Sequence, residues 1–276
     1  MTPDVPYAEV IGDPISHSKS PLIHQFWLDR VGLDAAYRAV HVRSDNLAEY
    51  VASRRDDAHW RGCNVTIPHK VAVLDHVGDP GGVRGSIGAA NTILRGPDGG
   101  LIATNTDAGG FYAPLADVNL ADQPVTVIGA GGAARAVLFA LARAGVGPVT
   151  IFNRNVFKAS ALLATFGLRG QALPIAHDVM IRAPSAALLV NCSALGMQGQ
   201  PPLAISLDAL PEHAIVYDLV YAPLMTDLLD QAERRGLATI DGLDMLVGQA
   251  ALAFELFFGL APPRAEDDDL RRLLLA

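Results

Sequence analysis

At 276 residues, half of them hydrophobic and 18% charged, the chain is long enough for two modest domains, each with its own core. A net charge of −8 argues against nucleic acid as a partner, because phosphate backbones are met by basic surfaces. Two cysteines, Cys63 and Cys192, supply no disulfide framework, no apolar run reaches membrane-spanning length, and no signal-peptide pattern opens the chain, so a soluble cytoplasmic protein is expected.

Strands and helices alternate from the start. Tyr7–Ile11 predicts a strand, and a polar loop with Ser18 and Ser20 follows it. Leu22, Ile23, Phe26, Trp27 and Val31 recur at helical spacing, with Ser20 as N-cap and Gly32 as stop. Strands at Tyr37–Val42 and Arg61–Thr66 flank a helix at Asn46–Arg55. This alternation implies a mostly parallel sheet whose loops gather beyond the strand ends, where ligands bind.

Three of these loops carry chemistry. The Ser18 and Ser20 hydroxyls, two apart, suit a carboxylate, although read alone they are simply loop and cap. Asn64-Val-Thr-Ile-Pro-His-Lys70 leads into an expected helix with Val71, Leu74 and Val77. That places Lys70 in a first helical turn, where the dipole disfavours positive charge, although a solvated surface lysine is the commoner case. Gly88–Leu94 and Ile102–Asp107 predict a hairpin about the turn Gly96–Gly100. Asn91 and Asp107 sit there in small or apolar sequence, which is costly unless they are bonded. A turn amide and a helix cap are their plainer readings.

At mid-chain, Val125–Ile128 runs into Gly129, Ala130, Gly131, Gly132 and Ala133, with Ala134 completing the spacing G-x-G-x-x-A before a helix at Ala133–Ala144. This is the phosphate-binding turn of a Rossmann unit. The next strand, Val149–Phe152, ends at Asn153-Arg-Asn155, where an NAD site would carry an acid. Arg154, with Lys158 one turn on, suits a 2′-phosphate, so NADP is expected over NAD. Ala187–Cys192, Ile215–Leu219 and Ala238–Ile240 predict strands, and Met225–Arg235 a helix. On the helix Leu243–Phe258, Gln249 shares an apolar stripe with Leu246, Ala253, Leu256 and Phe257 and must find partners there. The acidic run Glu266–Asp269 is expected to cap a helix at Leu270–Leu275. Cys192 has no adjacent base and is expected to be a small buried residue, and no paired His/Cys spacing suggests a metal.

Together these motifs resemble the shikimate dehydrogenase family. The resemblance rests on Ser18-Lys-Ser20, Asn64–Lys70, Gly88–Thr92, Asn105-Thr-Asp107, Gly129–Arg135, Asn153-Arg154, Asn191–Met197, Tyr217–Pro223 and Gly242–Gln249, and covers roughly residues 7 to 259. It implies reversible NADPH-dependent reduction of 3-dehydroshikimate to shikimate in chorismate and aromatic amino acid biosynthesis. It also implies an α/β fold: an N-terminal open α/β substrate domain, 1–107 completed by 242–276, and a Rossmann NADP-binding domain, 108–241. The C-terminal helices return to the first domain.

The resemblance implies roles as well. Lys70, paired with Asp107, carries the proton transfer. Ser18 and Ser20, with Tyr221 near, hold the substrate carboxylate, and Asn64, Thr66, Asn91, Asp107 and Gln249 bind ring hydroxyls. The glycine turn, Asn153, Arg154, Lys158, Ser193, Leu219 and Gly242 hold NADP(H). The substrate loops should face the glycine turn across a cleft. Ala108, Asn155, Lys158 and His69 depart from the commonest family pattern, and Asn155 and Lys158 are expected to weaken the hold on the 2′-phosphate. Rival readings are a quinate/shikimate dehydrogenase using NAD, an enzyme of an aminoshikimate-type pathway, and a non-catalytic NADP(H)-binding sensor, which would not need both Lys70 and Asp107. The expected partner is the small-molecule substrate alone, with neither nucleic acid nor membrane, bound by a monomer or homodimer.

Overall fold

The structure, a computed structural model, describes residues 5–175 and 180–275. The chain divides into two compact units, Met1–Gly110 with Leu246–Ala276, and Phe111–Met245.

The first unit opens with β1 (Tyr7–Gly12), α1 (Ser20–Val31), β2 (Ala36–His41), α2 (Leu47–Arg54) and β3 (Trp60–Val65). A short α3 (Val83–Ser86), the hairpin β4 (Thr92–Arg95) and β5 (Leu101–Thr104), and α4 (Asp107–Tyr112) follow. The sheet runs β2-β1-β3-β4-β5, with the first three strands parallel and the hairpin antiparallel. Register decides what gathers at one edge. Asn64 pairs with Thr92, and Thr92 with Thr104, so the end of β3, the start of β4 and the exit of β5 lie side by side. That brings Asn64, Asn91 and the segment toward Asp107 together.

α1 forms as its spacing predicts, burying Ile23, Trp27 and Leu28 completely and stopping at Gly32. Its start differs from expectation. Ser20 is the first helical residue, and Lys19 stands at the cap with no side-chain capping bond, its ammonium reaching the Leu274 carbonyl instead. The Ser18 hydroxyl accepts the Ser20 N–H at 3.3 Å, so the earlier serine closes the turn. β1 is buried throughout and includes Glu9, whose carboxylate accepts from Arg38, Arg54, Tyr50 and Trp60. A buried charge with so many donors is satisfied structure rather than a free acid.

The second unit contains β6 (Val125–Ile128), α5 (Gly132–Arg143), β7 (Val149–Asn153), α6 (Val156–Thr165) and β8 (Gly170–Pro174). Then come β9 (Ile181–Arg182), β10 (Leu188–Asn191), β11 (Ile205–Ser206), β12 (Ile215–Asp218), α7 (Asp227–Arg234) and β13 (Ala238–Ile240). Six strands make a parallel sheet in the order β13-β12-β10-β6-β7-β8, while β9 and β11 pair separately. The central strands β6 and β10 are buried along their whole length, as strands covered on both faces must be. Strand order reverses between β6 and β10. In such sheets the crevice beyond the carboxyl ends at that reversal is where a dinucleotide binds.

The chain then forms α8 (Gly242–Phe258) and α9 (Asp267–Leu275), whose first turn carries Asp267, Asp268 and Asp269 as expected. α8 buries Gln249, Ala250, Ala253, Phe254 and Phe257, whereas Leu256 is 44% exposed. The buried face is therefore rotated from the predicted stripe toward Ala250 and Phe254, which leaves Leu256 at its edge. Two close approaches seat the helix in the first unit. A side chain on Gly62 would come within 2.6 Å of the Ile93 carbonyl and strike the Phe257 ring, and one on Gly110 would lie 2.5 Å from the Gln249 nitrogen. The first unit is thus completed by a segment far along the chain, and the chain crosses between units inside α4 and α8 rather than at 107/108 and 241/242. Among the described residues no helix is long and apolar enough to cross a membrane.

Candidate active site

Lys70 lies in the turn after β3. The expected α-helix is absent, and only a 3-10 turn, Ala72–Asp75, follows. Val73 and Leu74 form the buried pair while Val71 is half exposed, not the predicted stripe, and Gly78 already bridges to Ile102. The dipole argument for Lys70 therefore does not hold. An ion pair fixes it instead: Nζ donates to Asp107 Oδ2 at 2.5 Å, with the two side chains 15% and 5% exposed. Such a charge-assisted bond, largely shielded from water, keeps both groups in place.

Asp107 sits at the first residue of α4, and its second oxygen accepts from Asn91 Nδ2 at 2.8 Å. The Asn91 amide oxygen accepts from the Thr106 N–H at 2.7 Å and from Thr92 Oγ1 at 3.0 Å. Thr92 Oγ1 in turn accepts from Asn64 Nδ2 at 3.2 Å, and Asn64 Oδ1 accepts from the Tyr37 hydroxyl at 2.6 Å. Gln249 donates to the Leu246 carbonyl at 2.8 Å and turns its oxygen to Asn91 Nδ2 at 3.4 Å. Lys70, Asp107, Asn91, Asn64 and Gln249, predicted separately, form one bonded cluster. Asn105 locks its entrance, donating to the Ala89 carbonyl and accepting from the Ala108 N–H. Ser18, Ser20 and Thr66 are not bonded into it. Thr66 lies half-buried in the turn after β3, its N–H on the Ile11 carbonyl at 2.9 Å.

Reading residue types alone passes over Thr92, Thr106 and Tyr37. For the threonines a signal existed: Asn91-Thr92 and Asn105-Thr106 are matching polar pairs at the two ends of an otherwise apolar hairpin.

In the second unit, Gly129 ends β6 at φ 102°, a conformation that excludes most side chains. A Cβ there would also lie 3.1 Å from the Ser193 nitrogen. Gly131 stands at the N-cap of α5 with open space where its side chain would be, and no side chain caps the helix. The first-turn N–H groups, flanked by Gly132 and Ala133, are thereby left for an anion. Ala130 and Ala134 are buried, the latter where helix meets sheet. At the end of β7, Asn153 donates to the Asn155 carbonyl at 2.8 Å, and Asn155 caps α6 by accepting the Lys158 N–H at 3.0 Å. Arg154 and Lys158 are exposed, and among the described residues neither is paired with a carboxylate. An uncapped helix start and two free cations fit a dinucleotide that carries an additional phosphate.

The other strand ends are tied by Asp218. Its carboxylate accepts from Asn191 Nδ2, the Val220 N–H and the Thr226 hydroxyl, and Asn191 Oδ1 accepts from the Ser193 N–H and hydroxyl. Burial pushes the Asp218 carboxyl above the usual carboxylate range against these donors. Gly242 starts α8 hard against the Leu219 and Val220 carbonyls, at 2.5 and 2.6 Å from where its Cβ would be. Desolvation raises the pKa of the Tyr221 hydroxyl and of the Cys192 thiol, although Cys192 is half-buried rather than fully buried as expected.

Known proteins resemble the chain throughout. The family model "Shikimate dehydrogenase substrate binding domain" matches residues 10–93, "Shikimate / quinate 5-dehydrogenase" matches 114–188, and "Shikimate 5'-dehydrogenase C-terminal domain" matches 242–267. Shikimate dehydrogenase (NADP(+)) of Sphingopyxis alaskensis is 65% identical over 98% of this chain and 97% of its own. The crystal structure of shikimate 5-dehydrogenase from Thermus thermophilus in complex with NADP(H) and shikimate is 36% identical, covers 98% of this chain and 100% of its own, and superposes with a TM-score of 0.85. A ligand-free 5-ketofructose reductase from a Gluconobacter species is 30% identical over 98% and 99% of the two chains, with a TM-score of 0.86.

Proposed function

The chain belongs to the shikimate dehydrogenase family, and from that premise we propose that it catalyses the reversible NADPH-dependent reduction of 3-dehydroshikimate to shikimate in chorismate and aromatic amino acid biosynthesis. The observation that carries the reading is the Lys70–Asp107 pair at 2.5 Å, anchored to Asn91. NADPH, when bound, supplies the hydride that a ketone carbon receives. The Lys70 ammonium meets the ketone oxygen, stabilises the developing alkoxide and gives it a proton. In the oxidative direction the neutral amine takes that proton back from the hydroxyl. Asp107 holds the ammonium in position and balances its charge.

The first unit is the substrate domain. Asn64, Thr66, Asn91, Asp107 and Gln249 bind the ring hydroxyls, and Ser18 and Ser20, with Tyr221, bind the carboxylate. The second unit is the NADP domain. The start of α5 holds the pyrophosphate, Arg154 and Lys158 hold the 2′-phosphate, and Asn153, Ser193, Leu219 and Gly242 line the rest. One chain supplies every group, so a monomer or a homodimer serves, and two free cysteines fit a cytoplasmic enzyme.

Lys70→Ala and Asp107→Ala should each lower kcat with shikimate and NADP⁺ by about 10²-fold or more, with NADP⁺ affinity kept in a fluorescence titration. Quinate and NAD⁺ belong in the same assay. Wild-type protein that binds NADP⁺ but turns over neither shikimate nor quinate would overturn the proposal.

A further inference from the structure

Tyr37 and Thr92 touch none of the groups to which a role has been given except Asn64 and Asn91. Both are buried, at 6% and 0% exposure. Each hydroxyl carries a single proton, and that sets a direction. Tyr37 donates to Asn64 Oδ1, Asn64 Nδ2 donates to Thr92 Oγ1, Thr92 donates to Asn91 Oδ1, and Asn91 Nδ2 donates to Asp107. Every donor therefore points toward the carboxylate that holds Lys70. Bonds aligned head to tail polarise one another, and no solvent competes along this buried path.

We propose that Tyr37 and Thr92 are positioning residues, whose hydroxyls fix which way the Asn64 amide faces and brace the amide oxygen of Asn91, and so hold Asp107, Lys70 and the hydroxyl-binding amides in working geometry.

An amide turned end for end has nearly the same shape, so packing alone does not choose its orientation; its hydrogen-bond partners do. At Asn64 the Asn91 carbonyl accepts from Nδ2 only at 3.4 Å, so the choice rests mainly on these two hydroxyls, at 2.6 and 3.2 Å. Without Tyr37 its Oδ1 is a buried acceptor with no donor, and rotation to take the Thr92 proton reverses the chain. At Asn91 the Thr106 N–H, the Thr106 hydroxyl and the Asp107 carboxylate already set the orientation, and Thr92 adds a second bond to the amide oxygen. Tyr37 is itself held fast. His24 stacks on its ring with centroids 3.9 Å apart and planes 5° from parallel, and the Phe257 ring lies tilted by 40° with its centroid 6.4 Å away. Burial keeps the phenol protonated well beyond its ordinary range, so it remains a donor at any working pH.

The inference rests on the roles proposed above for Lys70 and Asp107, and the test separates the two. Tyr37→Phe and Thr92→Val remove a hydroxyl with little change of shape, whereas Thr92→Ser keeps it. Steady-state kinetics on the full chain should show kcat/KM for shikimate lowered roughly tenfold in Tyr37→Phe and in Thr92→Val, the loss of about one net hydrogen bond. KM for NADP⁺ should stay within about twofold, and Thr92→Ser should match wild type within about twofold. The double variant Tyr37→Phe/Thr92→Val should lose little more than the worse single one, because both break the same chain.

Wild-type turnover in either single variant overturns the proposal. So does a Thr92→Ser enzyme as impaired as Thr92→Val, or a loss that follows lowered melting temperature and weaker NADP⁺ binding alike. Lys70→Ala, assayed alongside, tells the failures apart. If it stays active, the acid–base assignment itself falls and this inference with it; if it is dead while Tyr37→Phe and Thr92→Val are not, only the positioning role falls.

Discussion

Arg154 stands where an acid would select NAD, exposed at the end of β7 and with no carboxylate on it among the described residues. Its whole contribution should therefore appear as affinity for one phosphate. Arg154→Ala should raise KM for NADP⁺ by about tenfold and leave NAD⁺ nearly unchanged, as initial rates with the two cofactors will show. Lys158 should add less, being a point charge rather than a fork. His24 makes a different residue-scale prediction. Neither ring nitrogen has a partner, and burial lowers its pKa from 6.5 to about 3. Between those values the unfolded chain binds a proton that the folded chain refuses, so stability falls as pH drops from about 6.5 toward 3. Urea midpoints measured across that window should decline less steeply in His24→Leu than in wild type.

Among the elements, α8 depends on a glycine far from it in sequence. Gly62 gives the Phe257 ring its place on β3, and Gly62→Ala should cost about 2 kcal/mol in chemical denaturation, since backbone and ring both stand in the way. How far such elements can be read in advance follows from the range of the forces involved. Local periodicity reveals α1, β6 and α5, because each is shaped by neighbours within a turn or a pleat. The same reasoning places a helix after Lys70 that does not form, and it counts Leu256 as buried although the buried face of α8 is turned toward Ala250 and Phe254. It finds the strand β1 but gives no role to Glu9 within it, which pairs with residues on β2, α2 and β3. The site is legible where polar residues stand in small or apolar sequence, as at Asn91 and Asp107. Tyr37 is not, because it reaches Asn64 only through the parallel order β2-β1-β3, and nothing within β2 marks it.

On the scale of the whole molecule, the two units differ in how the chain builds them. The second is one continuous stretch whose core runs from Ile128 to Leu237. Residues 111–245 expressed alone should melt in a single cooperative transition and bind NADP⁺. Residues 1–110 alone should not fold, because Ala250, Ala253, Phe254 and Phe257 of α8 are missing from their core. Circular dichroism melts of the two fragments check both outcomes; a stable 1–110 fragment would show that α8 is dispensable.

The late arrival of α8 bears on how the protein is made. A ribosome releases residues in order, so the first strands to emerge wait for their last helix while the whole cofactor half is synthesised and folds. Until then the hairpin bearing Asn91 lacks both Gln249 and the aromatic floor under Tyr37. A chain ending just before Leu246 should therefore bind NADP⁺ yet fail to turn over shikimate. On the proposed roles, oxidoreductase activity waits for α8 to emerge and complete the first unit.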